Sequence, residues 1–535
     1  MTRTVRKPSA IFMPPEDRPA MSGEEAGAAA ATRDVSGAGN REGSGIMSEI
    51  ALALYEKACN AQAQRTEALR IRTRVHDARS GTTGAASRWP FELLQNVHDA
   101  GPRTGKERVN VSFKWDGTTL LVEHDGTPFE LQEVAALLSG GSSKEFEGAD
   151  TTGRFGTGFM VTHVLAFSID IAIVISAEGQ LELAEVCLDR RGENNAILAN
   201  IQASHEAIKS AVPLGTIENF PTAQLRYRVD TPEAVAEGFG NLRRTLPYLF
   251  ATCPKLGDVV VEDPDRHETW TAGPTVLKRE ANPGVSVRRV SNGTAIEDVD
   301  VFSCKASEQS RATLIAIVRD GDVDPRVQIP DPGFPRLFAR FPVRDTGTLP
   351  MRLILDAPFD QPQERDRVSM IESDKAMIED GLTLLPEVVL YAAQSNWQHA
   401  HRLAHIDQIS TTEGTSHEAD WWNEHLSHVA RTLSELPIVK TAERGLAPAV
   451  VGENSGVDFH ADFVLPRFSL KDSDGPSLDR LWSLVIGADK VDPPEKDLAS
   501  EWNRIAEAWQ RLGVNASFLG LAEGRQDTLR GKVLV

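Results

Sequence analysis

Phe91-Glu92-Leu93-Leu94-Gln95-Asn96-Val97-His98-Asp99-Ala100 is the stretch on which the reading of this chain turns. At helical spacing Glu92, Asn96 and Asp99 fall at i, i+4 and i+7, so all three share one side of a helix. Phe91, Leu94, Val97 and Ala100 lie off that side and can face a core. Acid, amide and acid in line beside a small residue suit a helix with something polar against it. An amide oxygen is a hard ligand of the kind Mg²⁺ takes together with phosphates. A carboxylate one turn earlier can polarise a water. Alone, the decapeptide is equally well a charged helix face.

Two later stretches bear on that choice. Leu120-Leu121-Val122-Glu123-His124-Asp125-Gly126-Thr127-Pro128-Phe129 reads as a strand running into a Gly-centred turn. Gly153-Arg154-Phe155-Gly156-Thr157-Gly158-Phe159 then opens a second helix, Met160 to Leu165. Glycines at 153, 156 and 158 let backbone N–H groups approach an anion at a helix start.

In this order, Glu-x-x-x-Asn-x-x-Asp-Ala, strand-Asp-Gly turn and Gly-x-x-Gly-x-Gly-Phe, the chain resembles the GHKL ATP-binding superfamily. That superfamily includes the ninety-kilodalton heat-shock chaperones, type II topoisomerases, MutL and MORC proteins and sensor histidine kinases. Within it, Glu92-Leu93-Leu94-Gln95-Asn96, His124-Asp125-Gly126-Thr127-Pro128-Phe129 and Ser142-Ser143-Lys144 look like the sacsin and NO VEIN type of chaperone-like ATPase. The motif likeness covers Phe91 to Leu165, with a weaker echo to about Val368.

The resemblance implies an α/β sandwich of the GHKL (Bergerat) type that binds ATP with Mg²⁺ and hydrolyses it. Glu92 takes the role of general base and Asn96 that of Mg²⁺ ligand. Asp99 orders the helix or meets ribose and base indirectly, and Ala100 leaves room for the base. Gly153, Gly156, Gly158 and Phe159 form the phosphate turn, with Ser143 and Lys144 on a mobile lid over 139–152. The second motif departs from the commonest form, Asp-x-Gly-x-Gly. With Gly126 matched to its first glycine, the adenine-reading position holds His124, and Pro128 replaces the second glycine. Either Asp125 reaches the exocyclic amine after a local bulge, or His124 reads the base; Asp125 is the preferred reading. Thr216 and Thr222 compete for the threonine near adenine. Arg365, with Arg367 as rival, is the second-domain candidate for sensing the γ-phosphate, since arginine stays charged and can fork onto phosphate oxygens.

Composition frames these expectations. At 535 residues the chain has room for about three domains. Residues 1–47 have few large apolar groups and are expected to be disordered. The ATP-binding domain is placed at 48–231, an α/β transducer-like domain at 232–370 and a mainly helical C-terminal region at 371–535. Pro90 suits the first turn of the Glu92 helix, and Gly101-Pro102 ends it. The 57 basic and 77 acidic residues give a net charge of −20, which discourages nonspecific binding to nucleic-acid backbones. Cys59, Cys187, Cys253 and Cys304 show no metal-ligand or disulfide spacing, so buried thiols in a reducing compartment are expected. No apolar run is long enough to span a bilayer, and the basic start lacks an apolar signal core, which points to the cytoplasm.

The leading expectation is thus a chaperone-like ATPase with a protein partner or client and, as the superfamily allows, an ATP-dependent homodimer. The alternative is an ATP-gated clamp or a subunit of a nucleic-acid-directed defence or repair system of MORC or MutL type, with direct nucleic-acid binding left open. A sensor kinase fits less well, because His76-Asp77-Ala78-Arg79 stands too close to Glu92 for a phosphoacceptor hairpin.

Overall fold

The computed structural model describes residues 49–81, 84–140, 158–215, 221–279, 283–293, 298–320, 324–362, 366–410, 416–440, 445–448 and 496–514. The expected tail and, among the expected site residues, Ser143, Lys144, Gly153, Gly156, Thr216 and Arg365 lie outside these. The chain forms two compact units, Met1–Cys59 and Asn60–Val535. Helix α1 (Glu49–Arg79) begins in the first.

Helix α2 spans Ala85–Ala100. It therefore starts a turn earlier than Pro90 suggested, and Pro90 sits inside it. There the ring cannot donate to the Ala86 carbonyl, a bond the helix gives up. At the other end the expectation holds: Gly101 has φ 71° and its N–H donates to Val97 O at 3.2 Å.

Strands β1 (Val109–Trp115), β2 (Thr119–His124), β3 (Phe129–Glu130), β4 (Ser168–Ala177), β5 (Gln180–Asp189), β6 (Val212–Pro213) and β7 (Ala223–Arg228) come from the first part of the chain. Between them run α3 (Leu131–Ser139), α4 (Gly158–Val161), a 3₁₀ turn over Thr162–Val164, and α5 (Asn194–Ile208). Helix α6 (Pro232–Thr252) leads to β8 (Leu256–Asp263), β9 (Arg266–Arg279), β10 (Gly284–Ser291), β11 (Val299–Lys305), β12 (Thr313–Arg319), β13 (Arg326–Gln328), β14 (Leu337–Ala339), β15 (Phe341–Pro342) and β16 (Ile354–Asp356). All belong to one 16-stranded mixed sheet, mainly antiparallel, whose main path runs β15-β14-β16-β12-β11-β10-β9-β8-β1-β2-β7-β4-β5-β6. The expected boundary at 231/232 coincides with the start of α6, yet the sheet crosses it: β1 pairs in parallel with β8, Val111 opposite Val259 and Phe113 opposite Val261. Beyond 371 the described residues are mainly helical: α7 (Glu372–Gln394), α8 (Ser416–Glu435) and α9 (Ala499–Arg511), with a small hairpin Pro437–Lys440 and Leu446–Pro448. No helix among the described residues is long and apolar enough to cross a membrane.

Alternation sorts the side chains. On β1, Val109, Val111 and Phe113 are buried, while Asn110 and Lys114 face outward. The buried set meets α2 and α6. The Trp89 ring packs edge-on to Phe113 at 6.0 Å and lies 5.8 Å from Phe239 of α6. Its indole N–H donates to Ala234 O at 2.9 Å, which satisfies the one polar atom of a fully buried ring. Gly238 makes the approach possible, because a Cβ there would land on the indole. Strand β12 is buried on both faces: Ile315 and Ile317 join this core, and Leu314 and Ala316 join a second one with α7, α8 and α9. Trp422, Trp502 and Trp509 are buried in that second core, as a packing role requires. Of the thiols, Cys253 and Cys304 are buried, but Cys59 and Cys187 are exposed, contrary to the expectation for all four.

Replacing Gly238 by Ala separates backbone propensity from packing. Helix propensity alone favours the change by about 1 kcal/mol. Overpacking against Trp89 costs roughly 1–3 kcal/mol and should win. Urea unfolding should therefore show Gly238→Ala destabilised, and a stabilised variant would mean that Trp89 is not wedged there.

Candidate functional site

Glu92 is buried on α2, 4 % exposed, and its carboxylate is held from two sides. Arg88, one turn earlier, donates Nη2–H to Oε1 at 2.7 Å. Both side chains are largely withdrawn from water, at 14 % and 5 % exposure. On the other side stands Gly158, so close that a Cβ built on it would land on Glu92 Oε2. The acid of the early helix and the last glycine of the expected turn are therefore neighbours. Asn96, the next residue along the same side, is exposed. Asp99 ends the row with its carboxylate buried, 3.7 Å from His98 Nδ1. The row is less one-sided than its spacing suggested, since Leu93, Gln95 and His98 are buried as well as Leu94 and Val97.

The helix expected over 160–165 is shorter than its sequence suggested. Helix α4 has four residues and passes into the 3₁₀ turn, so a helix dipole adds little here. Phe159 is half-buried, its ring edge-on to His163 at 6.3 Å.

The turn after β2 packs on the end of α2. Thr127 N–H donates to Gly101 O at 3.0 Å, and a Cβ on Gly126 would stand 3.0 Å from that same oxygen. Thr222 donates its hydroxyl to Gly126 O at 2.6 Å and its N–H to His124 O at 2.8 Å. Of the two threonines, Thr222 is the one whose place beside this turn is established, and Ala100 is half-buried nearby at the helix end.

The register separates His124 from Asp125. His124 lies opposite Val111, and Val122 opposite Phe113, so His124 faces the helical side of the sheet with α2. Asp125, one residue on, faces the other side. Its Oδ1 accepts from Asn110 N–H at 2.7 Å, and its Oδ2 from Asn110 Nδ2 at 3.1 Å and Lys106 Nζ at 2.5 Å. There it borders an outward cavity of about 400 Å³ whose lining includes Arg103, Lys106, Glu123, His124 and Asp258, with Lys106 bound to Asp125 and Glu123 to Lys114. No bulge brings it back to the Glu92 side. His124 is 7 % exposed, and burial lowers its pKa to about 4 against the pull of Asp125, so the ring is neutral.

Arg367 is exposed. Another arginine of that region reaches α2 directly. Arg344, held by Asp345 through Nε at 2.9 Å, lies on Gly84, the residue before the helix, where a Cβ would collide with its guanidinium. Gly84 has φ 62°, so glycine serves both the left-handed backbone and the contact. Neither Arg88 nor Arg344 is marked by any motif. The i, i+4 spacing of Arg88 and Glu92 was the only signal available for either.

Among the described residues no group of three or more His, Cys, Asp or Glu side chains gathers as a metal cage. No protein-family model matches the chain, and no curated protein matches it in sequence.

The coupling between Arg88 and Glu92 can be measured by a double-mutant cycle. Removing one partner of a buried pair costs about 3–5 kcal/mol. Arg88→Met and Glu92→Gln should each destabilise the protein in urea, and the double variant should lose much less than their sum. An additive cycle would show that the two side chains do not interact in solution.

Proposed function

We propose that the protein is a GHKL-type, sacsin-like ATPase whose site lies between α2, Gly158 and the turn after β2. The observation that carries this reading is the contact of Glu92 with Gly158. Two residues far apart in sequence, the expected base and the last glycine of the expected phosphate turn, meet at one place where only glycine leaves room for the Glu92 carboxylate. Asn96, exposed on the same side of α2, supports it.

In this reading the Glu92 carboxylate holds a water and accepts its proton as the water attacks the γ-phosphate. Arg88 keeps that carboxylate oriented. Asn96 fits a Mg²⁺ ion through its amide oxygen, and the ion when bound neutralises charge on the phosphate oxygens. The glycine turn excludes side chains from the phosphates. Trp89 of α2 packed on α6, Arg344 on Gly84 and the β1–β8 pairing tie the 232–370 region to α2 and its sheet, so nucleotide-dependent movement at the site reaches the second region. A protein client and ATP-dependent association fit such a device, and the acidic balance disfavours a nucleic-acid clamp.

Loss of a general base lowers a rate by about 10²- to 10⁴-fold. Glu92→Ala should therefore abolish steady-state phosphate release while still binding ATP with Mg²⁺. Asn96→Ala should lose the Mg²⁺ dependence of binding. Unchanged turnover in Glu92→Ala, or a wild-type protein that binds no nucleotide, would refute the proposal.

A further inference from the structure

The contact between Glu92 and Gly158 bears on how a triphosphate enters the site, an inference that rests on the nucleotide reading above. A Cβ built on Gly158 would land on Glu92 Oε2, with Glu92 Cδ 3.3 Å and Glu92 Cβ 3.8 Å away. The side chain therefore lies over the glycine with its charged end against it. The other oxygen, Oε1, accepts from Arg88 Nη2 at 2.7 Å, and both side chains are largely withdrawn from water. Such a buried pair adds little net stability over an apolar pair of similar size, so stability alone does not account for it. Neither backbone gives way easily. Helix α2 is fixed by Trp89, whose indole donates to Ala234 O at 2.9 Å and rests on Gly238. Helix α4 is fixed by buried Met160, which packs in a small core with Ile71 and Val75 of α1. The part free to move is the Glu92 side chain itself.

A carboxylate and a phosphate make the same demand on such a place. Both are anions, both need a glycine to come close to the backbone, and like charges at this range repel. We propose that Glu92 is an intramolecular competitor for the phosphates: its carboxylate, clamped by Arg88, takes the room that Gly158 leaves, and a triphosphate binds only by displacing it. Displacement proceeds by rotation of the Glu92 side chain, since the helices on both sides are packed. The cost appears as lost affinity. A ligand that binds only the open fraction of a protein has its apparent affinity reduced by that fraction, so a block in place about nine-tenths of the time weakens binding about tenfold. The same rotation takes the carboxylate off the glycine and toward the water it activates. The base is thus set in place by the substrate that needs it.

The test is equilibrium binding of the β,γ-imido analogue of ATP with Mg²⁺, which avoids turnover, to the full chain and to two variants of it. Glu92→Ala clears the place over Gly158 and should bind the analogue about tenfold more tightly, or better. Glu92→Asp keeps the charge that Arg88 pairs with but draws the carboxylate back by one methylene. It should bind about threefold more tightly or better, and it carries the test alone if Glu92→Ala does not fold. Unchanged or weaker binding by a folded Glu92→Asp protein overturns the inference even if Glu92→Ala gains affinity, because a gain confined to alanine comes from lost charge and not from cleared space. Those results leave the nucleotide reading standing while this one falls. Binding by none of the three proteins overturns both.

Discussion

Trp89 wedged between Phe113 of the sheet and Gly238 of α6 is the constraint from which the rest of the site follows. It sets the rotation and height of α2 against β1, because a fully buried indole with its N–H bonded to Ala234 O tolerates little movement. Once α2 is held that way, Arg88 and Glu92 emerge one and two turns on from Gly84, on the side that meets Gly158. The site is thus a by-product of core packing, with its polar row carried on a helix that is otherwise buried.

The turn after β2 shows how much a single residue decides in a sheet. Side chains alternate, so His124 and Asp125 sit on opposite faces and enter different chemistry. His124 joins the helical side as a buried neutral ring. Asp125 joins an outward polar group with Lys106 and Asn110. Gly126 and Thr222 hold the turn rigid enough for that assignment to persist, since the Thr222 hydroxyl and N–H both bond to it.

Continuity of the sheet through β1 and β8 makes the two halves of the second unit mechanically inseparable. A backbone ladder resists relative sliding in a way that a side-chain interface does not. Movement between the halves must then pass through loops and side-chain contacts, among them Trp89 of α2 on α6 and Arg344 on Gly84. The Cys253 thiol, at the end of α6, is pushed up to about 12 by burial, with Asp356 and Asp99 adding to it. Carboxylates from α2 and from β16 thus bear on one junction.

Much of this was legible in the amino-acid order. The α2 helix and its Gly101 stop, the β1–β2 hairpin, the apolar alternation of β4 and β5, and the helices after 371 all follow from short-range periodicity and turn residues. So does the alignment of Glu92, Asn96 and Asp99, which needs only the helical repeat. Other features depend on what lies across a gap. Pro90 reads as a first-turn residue until α2 is seen to begin at Ala85. Which of His124 and Asp125 shares a face with α2 is open until the pairing with Val111 fixes it. Gly158 and Glu92 become neighbours, and Arg344 reaches Gly84, only when the core closes. Periodicity is a local property of the backbone, whereas the face a strand turns inward and the glycine a distant side chain rests on are settled by long-range packing.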